Sequence, residues 1–323
     1  MEKIKRKLIN CAKKVLPRFL VTWCCKLLNL TSLQRRNYNG LKVKTYNEFF
    51  DITDNANRRI RISRKHAVYL HDILVSFDYY FSAVKPVELL GMHMVDYSTP
   101  KFHEVTGYDL HPIMFSSFAE PIITTQQYLD FAKLENGYVV LDLGSYSGLT
   151  SIVFDQLVCK DGSVLAVDAD SENIKCIQKN FDLYKKITGR NIELIEGAVW
   201  KDDNGVVFST EGNMGSSAVD YVGNSRGNVK QIKTFKLSTI AEKYNLQKVD
   251  FIKCDIEGAE SVVFNDYDFF SKNKPRIIVE PHFSGGVSTV NAVVEQLAQF
   301  GYVCKEIEQH GVELPLLECY PPA

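Results

Sequence analysis

The stretch from Tyr138 to Asp168 constrains the fold more than any other part of the chain. Tyr138-Val139-Val140-Leu141-Asp142-Leu143 is a near-continuous apolar run of strand length that stops at Gly144, and Gly148 precedes a helical period over about 147–159. Ser163-Val164-Leu165-Ala166-Val167-Asp168 then reads as a second strand, and a helix opens around Ser171-Glu172-Asn173. Apolar runs without alternation are buried on both faces, which for strands means a parallel sheet between two helical layers. The rhythm continues with strands at Ile192–Ile195, Phe251–Asp255 and Arg276–Glu280, a helix over about 287–300, and a last strand at Tyr302–Ile307. Residues 121–323 are therefore expected to form an α/β domain with a doubly wound, mostly parallel sheet. Between the third and fourth strands, Lys201–Lys230 is polar and rich in Gly, Asn and Ser, as in Gly212-Asn213-Met214-Gly215-Ser216-Ser217, and reads as a long functional loop.

The 323 residues leave about 120 for a separate N-terminal extension. Its helical periods fall near 3–30 and 65–82, and its histidines His93, His103 and His111 are not at metal-ligand spacing. Charge is distributed unevenly. The formal total is −1, but the first 36 residues carry +9 and the remainder −10. Ile4, Leu8, Ala12, Val15, Leu16, Phe19 and Leu20 recur at helical spacing opposite the lysines, so residues 1–30 are expected to form a basic amphipathic helix that can lie on an anionic membrane surface. Lys26 interrupts the apolar run there, no small-residue cleavage site follows, and no run reaches the ~18–20 residues that span a bilayer. The acidic body lacks the basic stripe that a nucleic acid backbone requires. None of the eight cysteines forms a Cys-x-x-Cys pair, and most sit in apolar runs, so they read as free thiols of a cytoplasmic protein.

Three constellations carry chemistry. The first is Asp142-Leu143-Gly144-Ser145-Tyr146-Ser147-Gly148, where glycines let a ligand approach the backbone and the next helix offers unpaired N–H groups. Its Gly-x-x-x-Gly spacing is neither the Gly-x-Gly-x-x-Gly dinucleotide fingerprint nor a nucleoside triphosphate loop. Asp168, twenty residues after Gly148, ends the second strand where a carboxylate can accept both hydroxyls of a ribose. The wide turn suits S-adenosylmethionine, and Asp142, Gly144, Ser145, Gly148, Asp168 and Ala198 are the expected cofactor-binding positions. The second is Lys253-Cys254-Asp255-Ile256-Glu257-Gly258-Ala259-Glu260, in which period two puts Lys253, Asp255 and Glu257 on one side of a strand end. The carboxyl ends of the first and fourth strands flank the switch point of an open α/β sheet, and ionisable groups converging there are costly unless paired or used. The third is Glu280-Pro281-His282, which sets a histidine at the end of the fifth strand.

At these three places the sequence resembles the FkbM family of S-adenosylmethionine-dependent methyltransferases, over roughly residues 138–310. The Lys-x-Asp-x-Glu-Gly-x-Glu run at 253–260 is its most specific element. Gly144 and Gly148 fit the family's cofactor loop, Asp168 its ribose acid, Glu280 and His282 its strand-five end, and Ser216-Ser217 its middle insertion. The family often has Asn near Tyr146, Glu at 168 and Asp at Ser238. The resemblance implies O-methylation of a small-molecule or glycan hydroxyl, with acceptor recognition in the first 120 residues. Asp255 or His282 is then the expected base, Glu257 an orienting group and Lys253 the holder of the carboxylates. No metal is assigned, although Asp255 and Glu257 could hold a divalent cation. Two other readings remain open: a nicotinamide-dependent enzyme, disfavoured by the missing middle glycine, and a non-catalytic binding or scaffold protein that retains the fold.

Overall fold

The computed structural model describes residues 40–210, 217–218, 228–284, 287–309 and 314–322. The basic segment 1–30 and Ser216 therefore lie outside the described residues. Residues 40–97 hold five strands, β1 (Lys42–Thr45), β2 (Phe49–Thr53), β3 (Arg58–Ser63), β4 (Val87–Leu89) and β5 (Met92–Tyr97), paired in the order β1-β2-β3-β5-β4. The helical period at 65–82 becomes a 3-10 turn, Arg64–Tyr69, and two short helices, α1 (Leu70–Val75) and α2 (Phe77–Ser82). The described part of the helical N-terminal extension thus also carries a five-stranded sheet. Phe50 with Ile52, and Ile60 with Ile62, alternate at period two and bury one face of β2 and β3. On those strands, buried Asp51 is held by both Arg59 and Arg61. A hairpin of β6 (Lys101–His103) and β7 (Ile113–Phe115) and the helix α3 (Ile122–Ala132) lead into the large sheet.

That sheet begins with β8 (Val139–Leu143), α4 (Leu149–Val158), β9 (Ser163–Asp168), α5 (Ser171–Thr188) and β10 (Glu193–Glu196). Asp170 caps α5 through the N–H groups of Glu172 and Asn173, and Gly189 ends it in the left-handed region. The short β11 (Ala198–Val199) follows, then β12 (Val206–Thr210), β13 (Ser217–Ala218) and β14 (Asn228–Ile232), then β15 (Thr234–Phe235) and α6 (Leu237–Lys243). β12, β13 and β14 pair antiparallel, so the expected loop at 201–230 is in its described part a small sheet. Val206 and Phe208 alternate inward and pack with Trp200 and Ala259.

The chain returns through β16 (Phe251–Cys254), α7 (Glu260–Val263), α8 (Tyr267–Phe270) and β17 (Arg276–Val279). A hairpin, β18 (Phe283–Ser284) with β19 (Val287–Ser288), precedes α9 (Val290–Ala298), β20 (Val303–Ile307) and β21 (Leu316–Tyr320). The seven strands run β10-β9-β8-β16-β17-β21-β20, with β21 antiparallel to both its neighbours. β21, which the sequence rhythm does not announce, sets Cys319 directly opposite Cys304, and the two form a disulfide. The expectation of free thiols is corrected for this pair and holds for Cys159, Cys176 and Cys254.

Period two divides the sheet residues between two cores. Leu141, Leu143, Leu165, Val167, Ile252, Cys254, Ile277 and Val279 pack on one face. Val140, Val164, Ala166, Phe251 and Ile278 face the other, where they join Phe50, Ile62, Phe77, Phe118 and Tyr128 in one continuous core. The N-terminal region is therefore a lid on that face of the sheet, with no break in packing near residue 120. Among the described residues no helix is long and apolar enough to cross a membrane.

Candidate active site

The chain crosses from β8 to β9 on one side of the sheet and later enters β16 on the other, so the loops after β8 and β16 face each other. They touch. A Cβ built on Gly144, at φ +78°, would lie 1.6 Å from the carbonyl oxygen of Asp255. Gly148 is also left-handed, at φ +75°, and a Cβ there would meet Phe181 at 2.6 Å. Both glycines of the motif are thus required by backbone conformation and by close approach.

Lys253 ties this junction together. It is 4% exposed, its ammonium donates to Gly144 O at 2.7 Å and to Asp255 Oδ2 at 3.2 Å, and it lies 3.6 Å from Asp142 Oδ1. Burial works against its charge, but Asp255 and Asp142 hold the ammonium well above the ordinary lysine value. Asp142 is fully buried and accepts the Ser151 hydroxyl. It does not line the cavity described below and stands beneath the loop as a counter-charge to Lys253. The Ser145 hydroxyl is likewise spent on Asp142 O at 2.8 Å, although the residue itself lines the cavity.

A cavity of about 610 Å³ opens over the loops, a size suited to a nucleoside-bearing donor and a small acceptor. Gly144, Ser145, Tyr146 and Asp168 line one end of it, and Lys253, Asp255, Glu257, Glu280 and His282 another. Asp168 accepts from the N–H groups of Tyr146 at 2.8 Å and Asp170 at 2.9 Å, and burial pushes its carboxyl up to about 7. Asp168 also reaches a smaller cavity of about 50 Å³, lined by Ala198, Trp200 and Ile256 and closed by Phe208 and Ala218 of the insertion sheet. Gly148 lies behind the first cavity at the N-terminus of α4.

At the acidic end, His282 Nδ1 lies 3.0 Å from Oε1 of the fully buried Glu260. Its Nε2 is 3.7 Å from Glu257, 3.8 Å from Asp255 and 3.9 Å from Glu280. Burial opposes the imidazolium, but Glu257, Glu260 and Glu280 outweigh it and raise His282 well above the ordinary histidine value. The carboxylates around it thus hold His282 toward its charged form. Burial pushes Glu257 up to about 8 and raises Glu280 as well. Glu257 holds a left-handed backbone at φ +54°, and the Glu260 carboxylate accepts the N–H groups of Ile256 and Gly258 to fix that turn.

The remaining wall comes from the lid. Tyr69, Asp72, Tyr79, Tyr80, Glu120 and Tyr128 line it, and the Tyr128 hydroxyl donates to Glu280 Oε2 at 3.1 Å. Burial and the nearby Glu280 raise Glu120. These residues carry no motif in the sequence; only their packing against the sheet brings them to the cavity. Glu280 and Glu260, by contrast, stand inside motifs that flag them.

A parallel sheet in the order 3-2-1-4-5-7-6 with strand seven reversed, a glycine turn at the switch point and an acid ending the second strand define a class I methyltransferase fold. The Methyltransferase FkbM domain matches residues 142–310, just over half of the chain, and the chain belongs to that family. Among solved structures, the chain is similar to a methyltransferase FkbM from Methylobacillus flagellatus at 13% identity, over 60% of this chain and 50% of that one, with a TM-score of 0.39. It is similar to the precorrin-6y C5,15-methyltransferase from Geobacter metallireducens at 14% identity, over 61% and 86%, with a TM-score of 0.38. Fibrillarin of Aeropyrum pernix, in complex with S-adenosyl-L-methionine, aligns at 11% identity over 86% and 97%, with a TM-score of 0.37. No curated protein matches the sequence.

Proposed function

We propose that the protein transfers the methyl group of S-adenosylmethionine to a hydroxyl of a small molecule, sugar or glycan. The observation that carries this reading is one cavity in which the glycine turn and Asp168 stand at one end and four ionisable groups, Asp255, Glu257, Glu280 and His282, at another. The cofactor residues that fit are Gly144, Ser145 and Tyr146 for the amino-acid part, Asp168 for the ribose hydroxyls, and Ala198 with Trp200 and Ile256 beside the base. The donor supplies an activated methyl on a sulfonium, so the protein's work is alignment and proton removal. The acceptor oxygen forms a bond to the methyl carbon, the carbon–sulfur bond breaks, and the hydroxyl proton passes to the carboxylates at this end, Asp255 and Glu280. Lys253 keeps Asp255 in place, and the charged His282 offsets the surrounding carboxylates. The lid residues Tyr79, Glu120 and Tyr128 form the acceptor wall.

Calorimetry with S-adenosylhomocysteine and with NAD is the first test, since this reading requires the former to bind and the latter not to. Transfer from labelled S-adenosylmethionine to a panel of hydroxyl acceptors follows. Asp255→Asn should lower turnover at least 100-fold and leave S-adenosylhomocysteine affinity within a factor of about three. Full turnover in that variant removes Asp255 from the reaction.

A further inference from the structure

We infer that Asp255, Glu257 and His282 form a binding site for a divalent first-row cation of the Mn²⁺ kind. Each of the three offers one ligand atom to the cavity, and these atoms lie within 4.8 Å of one another. Three ligand atoms with bonds near 2.1 Å to one ion lie about 3.0–3.6 Å from one another, so side-chain rotations of roughly an ångström bring the set to bonding distance. Two carboxylate oxygens and one imidazole nitrogen are a donor set for Mn²⁺ or Zn²⁺ rather than for the all-oxygen preference of Mg²⁺.

The arrangement around the histidine points the same way, independently of those mutual distances. Glu260, fully buried and outside the ligand set, takes Nδ1 of His282 at 3.0 Å and is itself fixed by the N–H groups of Ile256 and Gly258. A buried carboxylate on one ring nitrogen, with the other nitrogen turned to acids, is the second layer that metal-binding histidines generally carry. Nε2 in turn faces three carboxylates at 3.7, 3.8 and 3.9 Å. All three distances exceed hydrogen-bond length, and they are those of groups set around a common point. Among the described residues, no side chain or N–H donates a hydrogen bond to the Glu257 carboxylate, whose Oε1 lies 3.7 Å from Nε2. Lys253, the buried ammonium in the same wall, is already committed to Gly144 O and to Asp255 Oδ2, which leaves Asp255 Oδ1 on the His282 side.

The inference rests on the O-methyl-transfer reading and deepens it. The ion displaces the Nε2 proton to solvent and presents its remaining positions to the cavity, where an acceptor hydroxyl can become a ligand and lose its proton more readily. With Asp255 occupied as a ligand, Glu280 is left to receive that proton. The methyl-transfer balance is otherwise unchanged.

The test uses the full chain, stripped with EDTA and titrated with MnCl₂ under electron paramagnetic resonance, with and without S-adenosylhomocysteine. One Mn²⁺ per chain is expected, with a nitrogen coupling in the pulsed spectrum that His282→Gln abolishes. Asp255→Asn or Glu257→Gln should weaken binding at least tenfold, and Glu260→Gln by 10–100-fold through loss of ring orientation. Retained S-adenosylhomocysteine binding shows that each variant is folded. Absence of bound Mn²⁺ and of competing Zn²⁺ in the wild type overturns the site, as does binding that the three ligand variants leave unchanged. The two proposals fail separately: turnover that survives EDTA removes the ion and keeps the methyltransferase, whereas loss of S-adenosylhomocysteine binding by the wild type removes the methyltransferase reading itself.

Discussion

Replacing Gly144 by alanine isolates the contact on which the site depends. The backbone there has φ +78°, which costs an L-residue about 1–2 kcal/mol. Gly189, at the end of α5, has φ +75° and nothing within 4 Å of a built Cβ, so Gly189→Ala measures that conformational term alone. Gly144→Ala adds a collision. Its Cβ would sit 1.6 Å from Asp255 O, where real Cβ atoms keep 3.0 Å or more, so the loops after β8 and β16 must part by more than an ångström. That displacement strains Asp255 N to Leu143 O at 3.0 Å and Lys253 Nζ to Gly144 O at 2.7 Å. One neutral and one charged hydrogen bond are worth about 1 and 1.5–3 kcal/mol, so with the conformational term Gly144→Ala should cost roughly 3.5–6 kcal/mol in all. Urea unfolding of the two variants beside the wild type gives the difference, and calorimetry with S-adenosylhomocysteine gives the functional consequence. Gly189→Ala should bind normally and Gly144→Ala should not bind measurably. Equal stability losses in the two variants, with binding intact in both, would refute the argument that the loops are in obligatory contact.

Other groups give further tests. Asp168 titrates near 7 because it is buried, and a ribose hydroxyl donates to the carboxylate rather than to the acid. Below that pH the protonated form must give up its proton for the cofactor to bind. S-adenosylhomocysteine affinity should therefore fall up to tenfold per unit as pH drops below about 7, and Asp168→Asn should bind weakly with that dependence removed. A wild-type affinity that is flat from pH 5.5 to 8 would exclude the ribose contact. Lys253→Met should destabilise the protein by about 3–5 kcal/mol, since it strands Asp142 as a buried carboxylate without its counter-charge. The double variant with Asp142→Asn should recover part of that loss in denaturant unfolding, and failure to recover any would mean that the two do not form a pair.

What the sequence discloses and what it conceals divide along a physical line. The glycine turn, Asp168 and the Lys253–Glu260 run are legible because each is local: strand period, turn and acid lie within a few residues, and strand order then follows from the rule for switch points. β21 is not legible, because an antiparallel strand slipped between β17 and β20 is specified by its partners rather than by its own pattern, and the Cys304–Cys319 pair depends on it. The state of His282 is hidden for the same reason. Its charge is set by Glu257, Glu260 and Glu280, and only Glu280 is a near neighbour in the chain.

The lid shows how that line bears on function. Lys253 and Phe251 share the face of β16 that packs toward the N-terminal region, so period two alone requires the cavity to open on the side that region covers. Tyr79, Glu120 and Tyr128 reach the acidic end from three separate elements, α2, the turn before α3, and α3 itself. All three lie outside the family match at 142–310. The glycine turn, Asp168 and the acidic end therefore lie inside the family match, and this part of the lid wall lies outside it. Glu120→Gln and Tyr79→Phe should accordingly change which acceptor is methylated, or its KM, at least tenfold while leaving S-adenosylhomocysteine affinity within a factor of about two, since the carboxylates that act on both are those of the acidic end. Parallel losses of cofactor affinity in both variants would instead make the lid part of the donor site.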